Sequence, residues 1–267
     1  MNSASPTLQN LKVLVTRPEA QQRVLCEAIA TSGGESVGFP LLAIEPIAEQ
    51  LAIDSLRRQV ENLDNYDLVI FVSTNAARYG GELIESYWPQ FPVGIDVLAV
   101  GPTTAEAVGE RLNCRVQCSE TGMASEDLLK LPILSNVAGK KIALFRGEGG
   151  RELLATTLRE RGAQVDYFEV YRRSVVSYPA DALVNEITAG GVNVVTAFSA
   201  ESLQRLLELT EAAEHRSQLL GLPLLVPSER IAGLATAAGF TSVYNANGAN
   251  AEATLNGLQE IAAGADN

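Results

Sequence analysis

The sequence predicts an α/β protein made of two similar doubly wound parallel-sheet domains joined by a two-stranded β hinge, the first domain being discontinuous. Three observations predict it. Short β-branched runs alternate with amphipathic segments along the chain, with Gly, Pro, Ser or Thr at the junctions, as in a parallel sheet whose strands are linked by helices. Two stretches repeat in order: FVSTNAARY around Ser73 resembles AFSAESLQR around Ser199, and about thirty residues later AVGPTTAEAVGERL resembles LVPSERIAGLATAA. Finally, two long β-prone runs, ESVGFPLLAIEPI and QVDYFEVYRRSVVSY, have no obvious helix directly behind them.

The first strand is expected at Leu11 to Thr16, and its helix lies in RPEAQQRVLCEAIATSGG, with Pro18 near the start and Gly33-Gly34 at the end. Further strands fall at Leu68 to Val72 before STNAAR, at Val97 to Val100 before GPTTAEAVGERL, and at Lys141 to Phe145 before RGEGGRELLATTLRERG. The last third gives Val192 to Phe198 before SAESLQRLLEL, Leu222 to Val226 before PSERIAGLATAAG, and a closing strand and helix from Ser242 to Ala262. A chain that begins one domain, crosses to the second and returns accommodates both helix-less runs. Residues 1–39 and 177–267 then form domain 1, 47–166 form domain 2, and 40–46 with 167–176 form antiparallel hinge connectors.

A hydrophobic fraction of 46% over 267 residues supplies a full core. The opening MNSASPTLQN lacks the basic start and apolar run of a signal peptide, and no apolar stretch reaches the roughly 18 residues of a membrane span, so a cytoplasmic protein is expected. Cys26, Cys114 and Cys118, with no CxxC among them, and the single His215 lack the characteristic spacing by which about four soft or imidazole ligands hold a metal, so neither a metal site nor histidine acid–base chemistry is expected. A net charge of −12 argues against a nucleic-acid partner. It leaves room for an anionic small molecule, because a few arginines dominate the field within a Debye length of about 8 Å.

In open α/β sheets ligands bind beyond the carboxyl ends of the strands, where helix N-termini offer unpaired N–H groups. The loops expected there carry Arg17, Ser73, Thr103, Thr104, Arg146, Arg151, Ser199 and Ser228. Each Ser or Thr taken singly reads as a helix cap. Their recurrence in both halves suggests a wall for carboxylates. RGEGGRELL has neither the Gly-Lys-Ser/Thr ending of a phosphate loop nor the spacing of GxGxxG, so Gly147 and Gly149 read as a tight turn or a binding loop without a dinucleotide fingerprint. Tyr171, in EVYRRS, reads either as a packing residue on a connector or as a hydroxyl in a cleft beside Arg172 and Arg173. On the residues alone, a two-domain protein that closes on a small anion, or a nucleotide-dependent transferase or reductase, stays open beside these readings.

Taken together VLVTRP at 13–18, FVSTNAA at 71–77, AVGPTTAEAV at 99–108, FRGEGGRELL at 145–154, EVYRR at 169–173, AFSAESL at 197–203 and VPSERIA at 226–232 resemble the uroporphyrinogen-III synthase family, in order and over nearly the whole chain. The resemblance implies two α/β domains joined by a β-ladder, and a cofactor-free, metal-free monomeric lyase. Such an enzyme converts hydroxymethylbilane, a linear tetrapyrrole, to uroporphyrinogen III with loss of water and inversion of ring D. It also implies that Tyr171 assists departure of the substrate hydroxyl and that Ser73, Thr104, Arg146, Arg151 and Ser199 fall in cleft loops. Where some members have Gly-Pro-Thr-Thr in the second half this chain has PSER, so Ser228 keeps a hydroxyl there and Glu229 does not.

Overall fold

The computed structural model describes residues 8–119, 125–150 and 152–265. Along the chain lie β1 (Lys12–Val15), α1 (Arg23–Thr31), β2 (Glu35–Gly38), β3 (Leu42–Pro46), α2 (Gln50–Glu61), β4 (Leu68–Phe71), α3 (Thr74–Tyr87), β5 (Asp96–Ala99) and α4 (Pro102–Leu112). Next come β6 (Val116–Cys118), α5 (Ser125–Leu128), α6 (Pro132–Ser135), β7 (Lys141–Gly147), α7 (Leu153–Glu160) and β8 (Gln164–Val175). The chain ends with α8 (Ala182–Thr188), β9 (Val194–Thr196), α9 (Ala200–Glu208), α10 (Ala213–Leu220), β10 (Leu224–Val226), α11 (Glu229–Ala237), β11 (Val243–Asn245) and α12 (Ala251–Ala265). Two compact units result: residues 1–43 with 174–267, and residues 44–173. The chain passes between them inside β3 and again inside β8.

The sheet of the first unit runs β11-β10-β9-β1-β2 and that of the second β3-β8-β7-β4-β5-β6. Every pairing among β1, β2, β9, β10 and β11 is parallel, as are those joining β8, β7, β4, β5 and β6. If the second unit is read from β4 and the first from β9, the spatial order is the same, third-second-first-fourth-fifth, so the first unit is a circular permutation of the second. β9 therefore corresponds to β4, and β1 to β7. This explains why the repeat seen at Ser73 and Ser199 holds only from β4 and from β9 onward.

Burial on both faces dictates the strand sequences, since helices cover parallel sheets on each side. Leu68, Val69, Ile70 and Phe71 of β4 are all buried, as are Val13, Leu14 and Val15 of β1. α3 turns Ala76, Ala77, Gly80, Gly81 and Ile84 inward, and these small residues let the helix lie close on Phe71 and Phe145, whose rings stack at 4.8 Å. α4 ends at Asn113, whose φ of +47° is a left-handed conformation that Asn tolerates better than most residues.

One expectation is corrected here. The run ending at Pro46 does have a helix of its own, α2, beginning four residues on. Its start is unmarked, because its N-cap, Glu49, makes no side-chain cap bond and Leu51 in its first turn is 85% exposed. A helix with no capping side chain at its start and no glycine at its end hardly stands out in sequence. The QVDYFEVYRRSVVSY run likewise precedes a short helix, α8, that the sequence reading does not include.

Candidate active site

In the second unit the order of the sheet reverses between β4 and β7, which makes their carboxyl ends the switch point where ligands of open α/β sheets bind. A cavity of about 360 Å³ opens there, lined by Val72 and Ser73 after β4, Val100 after β5, Arg146 to Gly150 at the end of β7 and just beyond it, Ser125, Leu144 and Leu154, and Tyr171 and Arg173 of β8. Its geometry starts from β8. The register between β7 and β8 slips by one residue after Arg146, so that Arg146 pairs with Glu169 but Gly147 with Tyr171. The slip lets the neighbours Val170 and Tyr171 both be buried, and it brings the Tyr171 ring over the end of β7.

Gly147 is what that ring needs. A Cβ there would fall 2.6 Å from both Cε2 and Cζ of Tyr171, so only glycine admits the ring at this distance. Tyr79 stacks on Tyr171 with centroids 5.9 Å apart, and the ring itself is 2% exposed. Its hydroxyl lies 3.1 Å from Ser73 Oγ. Ser73 is in turn the N-cap of α3, accepting the backbone N–H of Ala76 at 3.1 Å. The hydroxyl pair thus sits beside the positive end of a fourteen-residue helix.

Arg146 is deeply buried, and its guanidinium is engaged by the protein itself. It donates to Glu152 at 2.9 Å and to the Gly150 carbonyl, and it lies over the Tyr167 ring, 4.5 Å from the centroid. Glu152 also accepts from the Tyr167 hydroxyl, and that bond, followed by Arg146, holds its carboxyl below the usual range. Arg172 is committed too, to Glu49 and, at 3.4 Å, to Glu148. Arg173 differs from both: it is exposed, lines the cavity, and takes part in no ion pair among the described residues. The sequence reading leaves it out of the candidate set, although residues two apart on a strand share a face and Tyr171 stands two positions away.

Of the remaining candidates in the second unit, Thr103 is exposed and Thr104 buried, both in the first turn of α4 behind Gly101, and neither lines the cavity. Arg151 lies outside the described residues. The first unit repeats the arrangement in part. Arg17 lies two residues past the end of β1, where Arg146 is the last residue but one of β7, and Ser199 caps α9 as Ser73 caps α3, with φ and ψ of −155° and 164° against −164° and 165°. The Arg17 guanidinium lies 3.8 Å from the Phe198 ring centroid and donates to Ala249; burial pulls it below its ordinary pKa, and its Nε has no hydrogen-bond partner among the described residues. Ser199 shares a capping box with Ser202. Ser228 is the N-cap of α11 but makes no side-chain cap bond, and its φ of −161° departs from the +86° of Gly101 at the same place before α4. Among the described residues no group of His, Cys, Asp and Glu could hold a metal ion, and no helix is long and apolar enough to cross a membrane.

Comparison with known proteins bears on what such a site serves. A sequence model of the family described as Uroporphyrinogen-III synthase HemD matches residues 23–256. The uroporphyrinogen-III synthase of Escherichia coli (strain K12) is 34% identical over 252 residues, covering 93% of this chain and all of its own. The enzyme of the same name from Salmonella typhimurium is 34% identical over 249 residues, with the same coverage. Among solved structures, a mutant uroporphyrinogen III synthase from the extremely thermophilic bacterium Thermus thermophilus superposes with a TM-score of 0.60 at 21% identity, covering 96% of this chain and 99% of that one. The synthetase from Helicobacter pylori gives 0.56 at 14%, with the same coverage, and both likenesses speak to the parallel-sheet α/β fold. With a family model spanning most of its length and relatives matched from end to end, the chain belongs to the uroporphyrinogen-III synthase family.

Proposed function

We propose that this chain closes hydroxymethylbilane to uroporphyrinogen III, with loss of water and inversion of ring D. The observation that carries the reading is the Tyr171–Ser73 hydroxyl pair lining a cavity at the switch point of the second unit. Ser73 Oγ already accepts the Ala76 N–H, so its own proton is available to the phenolic oxygen. With that bond made, the Tyr171 proton is left for a ligand. Its task is to donate to the hydroxyl leaving the ring A end, while the pyrrole nitrogen supplies the electrons that expel it and an azafulvene forms.

The substituted carbon of ring D then attacks to give a spiro-pyrrolenine, which fragments and recloses with ring D turned over. Unaided closure at the free carbon gives isomer I instead. Holding the two ends so that the spiro route is the nearer one is a task of orientation, which supplies several kcal/mol without a metal or organic cofactor. For the eight carboxylates of the substrate we propose helix N-termini, that of α3 behind Ser73 among them through its backbone N–H groups, together with Arg17, Thr103, Thr104, Arg151, Ser199 and Ser228, and we add Arg173. We further propose a cytoplasmic monomer without nucleic-acid or membrane partners, with 40–46 and 167–176 as the hinge.

The reading is tested by supplying enzymatically made hydroxymethylbilane, oxidising the products and separating the isomers. Isomer III in excess is expected. Isomer I alone sinks the assignment.

A further inference from the structure

We propose that Arg146 is a positioning residue that acts on the reaction through Tyr171, by clamping the Gly147–Gly150 turn against the phenol ring. The inference rests on the role proposed above for Tyr171. Arg146 is 2% exposed. Its Nη1 donates to Glu152 at 2.9 Å, its Nη2 to the Gly150 carbonyl and its Nε to the Gly147 carbonyl at 3.3 Å, while Glu169 lies 3.7 Å away. A guanidinium spent in this way has little left for a substrate carboxylate. Removing it would open the turn from beneath.

The turn it closes is thin. The Gly147 carbonyl also accepts from Gly150 N at 3.2 Å, and Gly149 has a φ of +65°. On the inner side, a Cβ at Gly150 would stand 3.0 Å from Arg146 Nε. On the outer side, a Cβ at Gly147 would stand 2.6 Å from the Tyr171 ring, and Glu148 N donates to the Tyr171 carbonyl at 2.8 Å. One backbone segment therefore touches the buried arginine on one side and the reacting tyrosine on the other. Whatever relaxes the turn shifts the phenol relative to Ser73 and to the substrate, and a misplacement of about 1 Å costs on the order of 100-fold.

The test is a double-variant cycle of Arg146→Met and Tyr171→Phe, with kcat, KM and the product isomer ratio as readouts. Arg146→Met is expected to lower kcat about 10- to 100-fold with KM changed less than about 3-fold, to raise the share of isomer I, and to add no further loss on Tyr171→Phe. Arg146→Lys should recover part of the rate. Gly147→Ala, which displaces the ring from the other side, should repeat the pattern, and it carries the cycle should Arg146→Met fail to fold. Losses that multiply in the double variants overturn the proposal, as does a rise in KM with kcat kept, or a Tyr171→Phe protein at the wild-type rate. A wild-type protein yielding isomer I alone overturns the functional reading itself, a result distinct from lost coupling between the two residues.

Discussion

The hydroxyl of Tyr171 lies 3.1 Å from Ser73 Oγ, although 98 positions separate the two in the chain. β7 stands between their strands in the sheet. Ser73 therefore has two tasks, since it caps α3 and holds the phenol. Ser73→Ala is expected to lower stability by about 1 kcal/mol through the lost cap and, separately, to slow turnover. Tyr171→Phe leaves the cap and the ring in place and should keep the melting temperature while cutting kcat by about 10²- to 10⁴-fold. Denaturant titrations beside the isomer assay separate the two effects, and equal activity in Tyr171→Phe and wild type would return Tyr171 to a packing role.

Ser199 and Ser228 occupy the same helical position yet should respond differently. Ser199 gives and receives the bonds of a capping box with Ser202, whereas Ser228 makes no side-chain bond to its helix. Ser199→Ala is expected to cost about 1 kcal/mol of stability, and Ser228→Ala only a few tenths. If Ser228 holds a substrate carboxylate, its variant shows the loss in KM instead. Similar unfolding midpoints for the two variants would contradict this division.

Two adjacent glycines of α3 make a contrast in packing. A Cβ at Gly80 would meet Phe145 Cδ1 at 2.5 Å and Phe71 Cε1 at 3.0 Å, both rigid rings in the core. A Cβ at Gly81 would meet Arg111 Cδ at 2.3 Å, on a surface side chain tied at its far end to Glu85 at 2.8 Å, a pair that can shift together as the core rings cannot. Gly80→Ala is expected to destabilise by about 1–3 kcal/mol through overpacking. Gly81→Ala should come close to neutral, the helix gained by alanine offsetting a shift of Arg111. Thermal unfolding of the two variants ranks them directly.

Tyr66 gives the expected alkaline behaviour. Burial, then its hydrogen bond to Asp166 at 3.0 Å, raises its pKa above the ordinary value of 10.0. The folded state thus keeps this proton longer than the unfolded chain does. Its contribution to stability is complete below about pH 10 and is lost as pH rises through the folded value. Urea titrations between about pH 9 and 11.5 should show stability declining, with a shallower decline in Tyr66→Phe. Identical slopes in the two proteins would remove Tyr66 as the cause.

Strands such as Leu68–Phe71 are legible in the sequence because a segment buried on both faces must be apolar throughout, and helices such as α3 and α9 because a serine cap announces them. α2 is hard to see because no capping side chain marks its start at Glu49, whereas α1, which buries no more residues, has Pro18 before it and Gly33-Gly34 behind it. The site divides in the same way. Tyr171, Ser73 and Arg146 can each be picked out by residue type and loop position. That Arg146 faces inward cannot, because the outcome depends on a turn closing around it and on carbonyls of Gly147 and Gly150 that no side chain advertises. The slip between β7 and β8, which aims Tyr171, leaves no composition signal at all.

The passage of the chain out of the first unit at residue 43 and back at 174 sets an order on biosynthesis. Residues 44–173 are contiguous, so the second unit has all its strands once they have left the ribosome. β1 and β2 emerge earlier, but β1 is an inner strand whose other neighbour, β9, begins at Val194. A two-stranded ladder with one helix is marginal by itself, so the β1–β2 segment waits on the order of ten seconds at ordinary elongation rates, its Val13, Leu14 and Val15 not yet buried as they are in the finished sheet. During that interval the first segment should be open to capture by chaperones. Stalled chains released before β9 should be folded in their middle and protease-sensitive at their beginning.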